Sequence, residues 1–157
     1  MSKLERWLTL VANLSVVAGI VFLAAEMRQN TAAIQAQTRD SVTEKQMTFA
    51  GWIGTNPQVA AVYARGNAEG IDAFTDPGER TQYILLAGGL IREWENSHYQ
   101  NQRGLFASDE FEARSMRWRR AMAGQGFRDY WVLNSEAFAP SFRAEIDRIV
   151  AEVEQAQ

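Results

Sequence analysis

One uncharged apolar run near the start of the chain constrains the fold more than any other feature. The run has 19 residues, from Trp7 to Ala25, with the sequence WLTLVANLSVVAGIVFLAA. As an α-helix it would be about 28 Å long, close to the roughly 30 Å thickness of a bilayer's hydrocarbon core. We therefore expect residues 7–25 to form a single transmembrane helix in contact with the lipid bilayer.

Two other structures are compatible with the same run. It could be the apolar part of a cleaved signal peptide, with Lys3 and Arg6 in the positive segment before it. A cut after residue 24 or 25 would place Phe22 or Leu23 where a small residue is preferred. It could also be the buried core helix of a soluble protein, because its length is close to the minimum for a membrane span.

The helix predicted for the apolar run should continue well beyond it. Between Leu4 and Ala50 there is no proline, and the only glycine is Gly19. Gly51, Gly54 and the Asn56-Pro57 pair then end the element. The predicted organisation is an N-terminal flank (1–6), a transmembrane helix (7–25), a helical extension (26–55) and a small helical domain (56–157).

The helical domain should contain about four or five helices, which makes the fold class all-α. Asp76 and Ser108 are placed to cap two of the helices. We expect a central helix from Pro77 to about Arg103, with an inward stripe formed by Tyr83, Leu86, Leu90 and Trp94. Gly88 and Gly89 lie in its middle, where close approach of another helix usually compensates for such residues.

Composition excludes several classes of function. The chain has no cysteine, so disulfides, zinc–thiolate sites and thiol nucleophiles are absent. The formal net charge of −3 gives no reason to expect a nucleic-acid partner. The sequence contains no glycine-rich phosphate loop, Gly-x-Ser-x-Gly or His-Glu-x-x-His motif. We therefore expect a protein that is not an enzyme and that carries no cofactor.

A resemblance supports this architecture. Residues 25–31, Ala-Glu-Met-Arg-Gln-Asn-Thr, follow the apolar helix. With Arg103-Gly104-Leu105 and the Phe-x-Pro-x-Phe-Arg segment at 138–143, they resemble an uncharacterised bacterial family of membrane-anchored helical proteins. In that family a hydrophobic N-terminal helix runs into an (Ile/Met)-Arg-Gln-Asn-Thr segment. The resemblance implies a single-pass protein of the bacterial inner membrane and supplies no activity.

The charges on either side of the run indicate the orientation only by a narrow margin. Lys3 and Arg6 precede the run, and Arg28 and Arg39 follow it. The amino terminus and the closeness of Arg6 to the run favour a cytoplasmic N-terminus. The helical domain would then lie in the periplasm.

Two groups of residues in the domain are candidates for a binding site. Glu95 and His98 are three residues apart and share a helix face. Such a Glu-x-x-His pair is half of the ligand set of the di-iron sites in helical bundles. A buried polar cluster, with Glu95 held by an arginine, is the simpler interpretation. The aromatic residues predict a possible pocket for a small apolar ligand, lined by Trp94, His98, Trp118 and Trp131.

One basic segment and one face of the anchor complete the set of candidates. Arg114, Arg117 and Arg120 could contact lipid headgroups, or they could form a solvated helix face. In the anchor, Ala12, Ser15, Gly19 and Phe22 share a face, and Ser15 and Gly19 form a small-xxx-small pattern that lets two membrane helices approach closely. The amide of Asn13 would prefer a partner across such a helix–helix interface.

These features favour a membrane-anchored interaction or scaffold protein, either self-associating or part of a larger membrane assembly. A membrane-anchored sensor or carrier of a small apolar ligand is the first alternative. A metal-dependent enzyme using Glu95 and His98 is the second alternative.

Overall fold

The computed structural model describes residues 2–156, which form six α-helices and contain no β-strand. The all-α prediction is therefore confirmed. The helices are α1 (Lys3–Thr55), α2 (Pro57–Glu69), α3 (Pro77–Gln102), α4 (Ser108–Met122), α5 (Gln125–Asn134) and α6 (Pro140–Gln155). Short 3₁₀ turns lie at Ile71–Ala73 and Ser135–Ala137.

The division between two compact units falls between Thr38 and Arg39, inside α1. The first unit contains the apolar run. Among the described residues, α1 is the one helix long and apolar enough to cross a membrane, a criterion that signal sequences and core helices can also meet. None of its most apolar stretch is buried, and Leu14 and Phe22 are 69% and 67% exposed.

The second unit begins with the last turns of α1, earlier than the predicted boundary at residue 56. Val42 is 1% exposed, and the ring of Phe49 packs edge-on against Tyr63 of α2 at 6.1 Å between centroids. Both side chains lie in residues 39–55, which belong to the same unit as the helical bundle. The predicted extension 26–55 is thus divided between the two units.

Helix starts follow local sequence in one case and depart from it in another. The Asp76 carboxylate accepts a hydrogen bond from the backbone N–H of Glu79 at 2.8 Å, which confirms the predicted cap of α3. The prediction for Ser108 was wrong by one residue. Ala107 occupies the capping position of α4, and Ser108 is already the first helical residue.

The buried stripe of α3 also differs from the predicted one. Tyr83, Ala87, Ile91 and Trp94 are buried, whereas Leu86 and Leu90 are only half-buried. The stripe passes through Ala87 because a small residue lets neighbouring helices approach α3. Leu90 packs against the core as a partly buried side chain.

Tyr83 fixes the packing of α2, α3 and α5. Its ring is fully buried, and its hydroxyl donates a hydrogen bond to Asn67 Oδ1 at 2.8 Å. A Cβ atom added at Gly66 would overlap this ring. A Cβ atom added at Gly126 would overlap both the Tyr83 hydroxyl and the Gly66 carbonyl oxygen. The two glycines therefore let α2 and α5 approach each other around one tyrosine.

This packing predicts opposite effects for two Gly→Ala substitutions within helices. Gly126→Ala forces a methyl group against backbone and should destabilise the protein by about 1–3 kcal/mol. Gly89→Ala meets no atom within 4 Å and should stabilise α3 by up to about 1 kcal/mol. Thermal unfolding of the full chain in detergent, followed by near-UV circular dichroism, measures both. A Gly126→Ala protein as stable as the wild type would contradict this account of the packing.

Candidate functional site

The four residues of the predicted ligand pocket lie together, but the ring of Phe142 lies among them where the ligand was expected. Trp94 stacks on Trp118 with 5.8 Å between ring centroids. The ring of Phe142 lies 6.1 Å from Trp118, 5.9 Å from Trp131 and 5.7 Å from His98. The three indoles are only 2–6% exposed. A ligand could enter between them only if these rings moved apart, and the pocket stays a prediction.

Glu95 is engaged by other groups of the protein. One carboxylate oxygen pairs with Arg92 Nη1 at 2.5 Å, and the other accepts a hydrogen bond from the Ala139 backbone N–H at 2.8 Å. The described residues contain no cluster of three or more histidine, aspartate or glutamate side chains suited to a metal ion. Glu95 thus joins α3 to the start of α6, as expected for a structural polar cluster.

His98 is held between polar and aromatic neighbours. Its Nε2 lies 3.1 Å from the Gln102 side-chain nitrogen, while its Nδ1 is buried without a hydrogen-bond partner. Burial lowers the pKa of His98, although the charges of Glu145 and Glu95 oppose this effect. His98 is half-buried, and its ring packs against Phe142 with 5.7 Å between the ring centroids.

The three arginines considered for headgroup contact do not share one environment. Arg114 is mostly buried, pairs with Glu110 at 3.3 Å and lies over the Phe106 ring at 4.7 Å. It is therefore occupied in holding α4 to its neighbours. Arg117 and Arg120 are exposed, so they alone of this set are free to meet a surface.

The proposed interface of the anchor is exposed along its length. Ala12, Asn13, Ser15, Gly19 and Phe22 are all exposed. The Ser15 hydroxyl donates a hydrogen bond to the Val11 carbonyl oxygen at 2.9 Å, so the helix itself satisfies this polar group. No atom lies within 4 Å of the position that a Cβ would take at Gly19. Association of this face with another helix stays a prediction.

The structure contains a groove that the sequence analysis did not identify. It has a volume of about 610 Å³ and lies between the end of α1 and the middle of α3. We call it the Trp52 groove, and its lining residues are Glu44, Lys45, Gln46, Thr48, Phe49, Trp52, Gly89, Leu90, Arg92, Glu93 and Asn96. The volume is within the range of sites that hold small ligands or anchoring side chains of partners.

The Trp52 groove is open at Gly89, where a side chain is missing. Trp52 is 63% exposed, and Gly89 opposite it has open space where a side chain would be. The neighbouring Gly88 differs, because its missing side chain makes room for the Tyr130 hydroxyl, which would lie 2.6 Å from a Cβ there. Only Gly88 is therefore explained by packing inside the molecule.

Glu93 forms the polar wall of the groove. The Ser97 hydroxyl donates a hydrogen bond to its Oε1 at 3.0 Å. Burial raises the pKa of Glu93, while Ser97, Arg114, Gln46 and Lys45 act in the opposite direction. The carboxyl group is thus partly desolvated and interacts electrostatically with groups on α1 and α4.

The remaining charges of the groove divide into satisfied and free groups. Arg92 is paired with Glu95 and lies over the Phe138 ring at 4.2 Å. Glu44 and Lys45 are exposed and form no ion pair within the described part of the chain. The rim therefore carries an exposed negative charge on Glu44 and an exposed positive charge on Lys45, which also acts on the carboxyl group of Glu93.

This arrangement is suited to recognition of an apolar group. It brings together a large exposed indole, a half-buried Phe49 and bare helix backbone, bordered by charges. Exposed aromatic anchors next to a hollow are typical of protein interfaces. The exposed position of Trp52 could not be read from the sequence, because Phe49 and Trp52 both lie on one helix without a strong apolar pattern.

No protein-family model, curated protein or solved structure matches this chain.

The raised pKa of Glu93 predicts a pH-dependent effect of Glu93→Gln. Stability contributed by a group with a raised pKa is present below its unfolded-state pKa and is lost as pH rises through the folded-state value. The variant should therefore unfold at a higher temperature than wild type at pH 8, and the difference should shrink toward pH 4.5. Glu154→Gln, at an exposed position, is the matched control and should change neither value.

His98→Phe should show the opposite pH trend. Burial lowers the pKa of His98, so its contribution to stability is lost as pH falls below about 6.5. Phenylalanine can pack against Phe142 without a buried unpaired nitrogen. The variant's advantage in unfolding temperature should grow between pH 7 and pH 5. An advantage that is equal at all pH values would mean that protonation of His98 is not the cause.

Proposed function

We propose that this protein is a membrane-anchored interaction protein that binds a protein partner through the Trp52 groove. The apolar helix would cross the bilayer once, and the helical unit would present the groove. The observation that carries this proposal is the pairing of a 63% exposed Trp52 with the open space at Gly89. For a protein that acts only as a monomer, an alanine at residue 89 would make α3 more stable, and a covered indole would leave less apolar surface in water.

The energetics of helix formation support this interpretation of Gly89. A glycine inside a helix costs about 0.5–1 kcal/mol relative to alanine. Inside this molecule, no neighbouring side chain occupies the space that Gly89 leaves. A partner that approaches the α3 backbone closely would offset that cost, which is the compensation expected for such glycines.

The membrane part of the proposal depends on the composition and exposure of the first unit. Its most apolar stretch has a mean hydropathy of 2.3 and no buried residue. Exposed apolar surface of this extent is normally covered by lipid or by another protein. We place the anchor in a bacterial inner membrane with the helical unit on the periplasmic side, and reporter fusions at residue 157 would test this orientation.

The anchor face predicts one effect on assembly. Gly19→Leu fills the space that would allow close helix approach, and it should reduce any association through residues 12–22 by about tenfold or more. Leu14→Ile, on another face of the same helix, is the control. Chemical cross-linking in native membranes measures both. Equal cross-linking of the two variants and the wild type would exclude this face as an interface.

The groove predicts a second and separate effect. Trp52→Ala removes the exposed indole of the groove. It should lower capture of a cross-linked protein partner by at least about tenfold, as for interface hot spots. Val132→Ala is the matched control, because Val132 is 80% exposed but lies outside the groove on α5. Unchanged capture by Trp52→Ala would contradict the proposed function of the groove.

A further inference from the structure

We propose that the occupant of the Trp52 groove is a second copy of this chain, an inference that rests on the proposed function of the groove. The two copies would face each other across a two-fold axis. In such an interface both copies use the same surface. Residue i of the first copy contacts residue j of the second, and residue j of the first contacts residue i of the second. The surface must therefore be complementary to itself in shape and in charge.

The groove satisfies the shape requirement because it contains both a projection and a hollow. Trp52 projects from α1 with 63% of its surface exposed. Gly89 leaves a gap on α3 in which no atom lies within 4 Å of a would-be Cβ. A two-fold arrangement places each indole over the Gly89 backbone of the other copy. Both rings are then covered, and both gaps are filled.

The charges on the rim satisfy the electrostatic requirement. Glu44 and Lys45 are adjacent in sequence, line the groove and carry opposite charges. Neither forms an ion pair within the residues that the structure describes. Across a two-fold axis, Glu44 of each copy can pair with Lys45 of the other. A rim of one sign would instead repel itself.

The other two charges of the groove, Arg92 and Glu93, interact with groups of their own chain. Arg92 is bound to Glu95 at 2.5 Å. Glu93 is partly desolvated, accepts a hydrogen bond from Ser97, and its carboxylate is favoured by the charges of Arg114 and Lys45 of the same chain. Arg92 therefore has an ion-pair partner in its own chain, whereas Glu93 has none among the described residues. Glu44 and Lys45 are exposed and form no ion pair within the described residues, and a neighbouring glutamate and lysine are complementary to a two-fold copy of themselves.

Attachment to a membrane would make a modest interface sufficient. Two copies held in one bilayer meet at a much higher effective concentration than free proteins do. Exposed ion pairs contribute little energy individually, so we assign affinity to the two indoles and pairing specificity to the charges.

A charge-reversal series on the full chain in native membranes tests the proposal. Glu44→Lys alone and Lys45→Glu alone should each lower the yield of cross-linked dimer several-fold, because like charges then face each other. The double variant Glu44→Lys/Lys45→Glu carries the reversed pair in both copies and should restore the yield. A different partner protein would not carry the compensating change, so the double variant would bind it no better than the single variants.

The absence of cysteine from the chain allows a second and independent measurement. Thr48→Cys lines the groove, whereas Glu154→Cys is an exposed control near the end of α6. Oxidation should yield disulfide-linked dimers of Thr48→Cys in excess over Glu154→Cys. Adding Trp52→Ala to Thr48→Cys should abolish that excess.

The outcomes separate this inference from the proposed function. Single reversals without effect, or a double variant that is not restored, would overturn the second-copy proposal. If Trp52→Ala also prevents capture of a different protein, the groove keeps its proposed function with another occupant. If dimers form but respond to Gly19→Leu and not to Trp52→Ala, the contact belongs to the anchor and both groove proposals fail.

Discussion

The second unit depends on the close approach of three helices around Tyr83. Two glycines, Gly66 and Gly126, leave the space that its ring and hydroxyl fill. The ring is fully buried, and its hydroxyl is satisfied by Asn67. Because α2, α3 and α5 are fixed at this point, the rest of α3 is positioned too. One face of α3 then meets the aromatic core, while another remains open beside the end of α1.

Much of this fold could be predicted from local sequence patterns. The cap at Asp76, the helix after Pro77 and the helix beginning at Pro140 follow from rules that involve only a few neighbouring residues. In the buried stripe of α3 the ends, Tyr83 and Trp94, are as predicted, but Ala87 and Ile91 are buried in place of Leu86 and Leu90, because the packing of neighbouring helices decides which residues face inward. Likewise, the clustering of Trp94, Trp118 and Trp131 was foreseeable, but the position of Phe142 between them was not.

The candidate site was harder to predict than the fold. The sequence predicted candidate sites at His98, the only histidine, and in the arginine-rich segment. In the structure, Glu95 forms an ion pair with Arg92, and Arg114 forms one with Glu110. The Trp52 groove is formed where Gly89 has no side chain and where no other residue covers the indole of Trp52. A pair of adjacent glycines in sequence does not reveal that Tyr130 uses only one of them. That distinction requires the helices to be placed in space.

The distribution of tryptophans gives the protein built-in optical reporters. Trp94, Trp118 and Trp131 are packed against other rings, whereas Trp52 stands in solvent at the groove. An indole in water emits at longer wavelength and is more accessible to acrylamide than one inside a core. The long-wavelength part of the intrinsic fluorescence therefore contains a contribution from Trp52, while Trp7, the first residue of the apolar run, is the other indole outside the core. With Trp7 replaced by phenylalanine, quenching of that emission would follow occupation of the groove directly, without any added label.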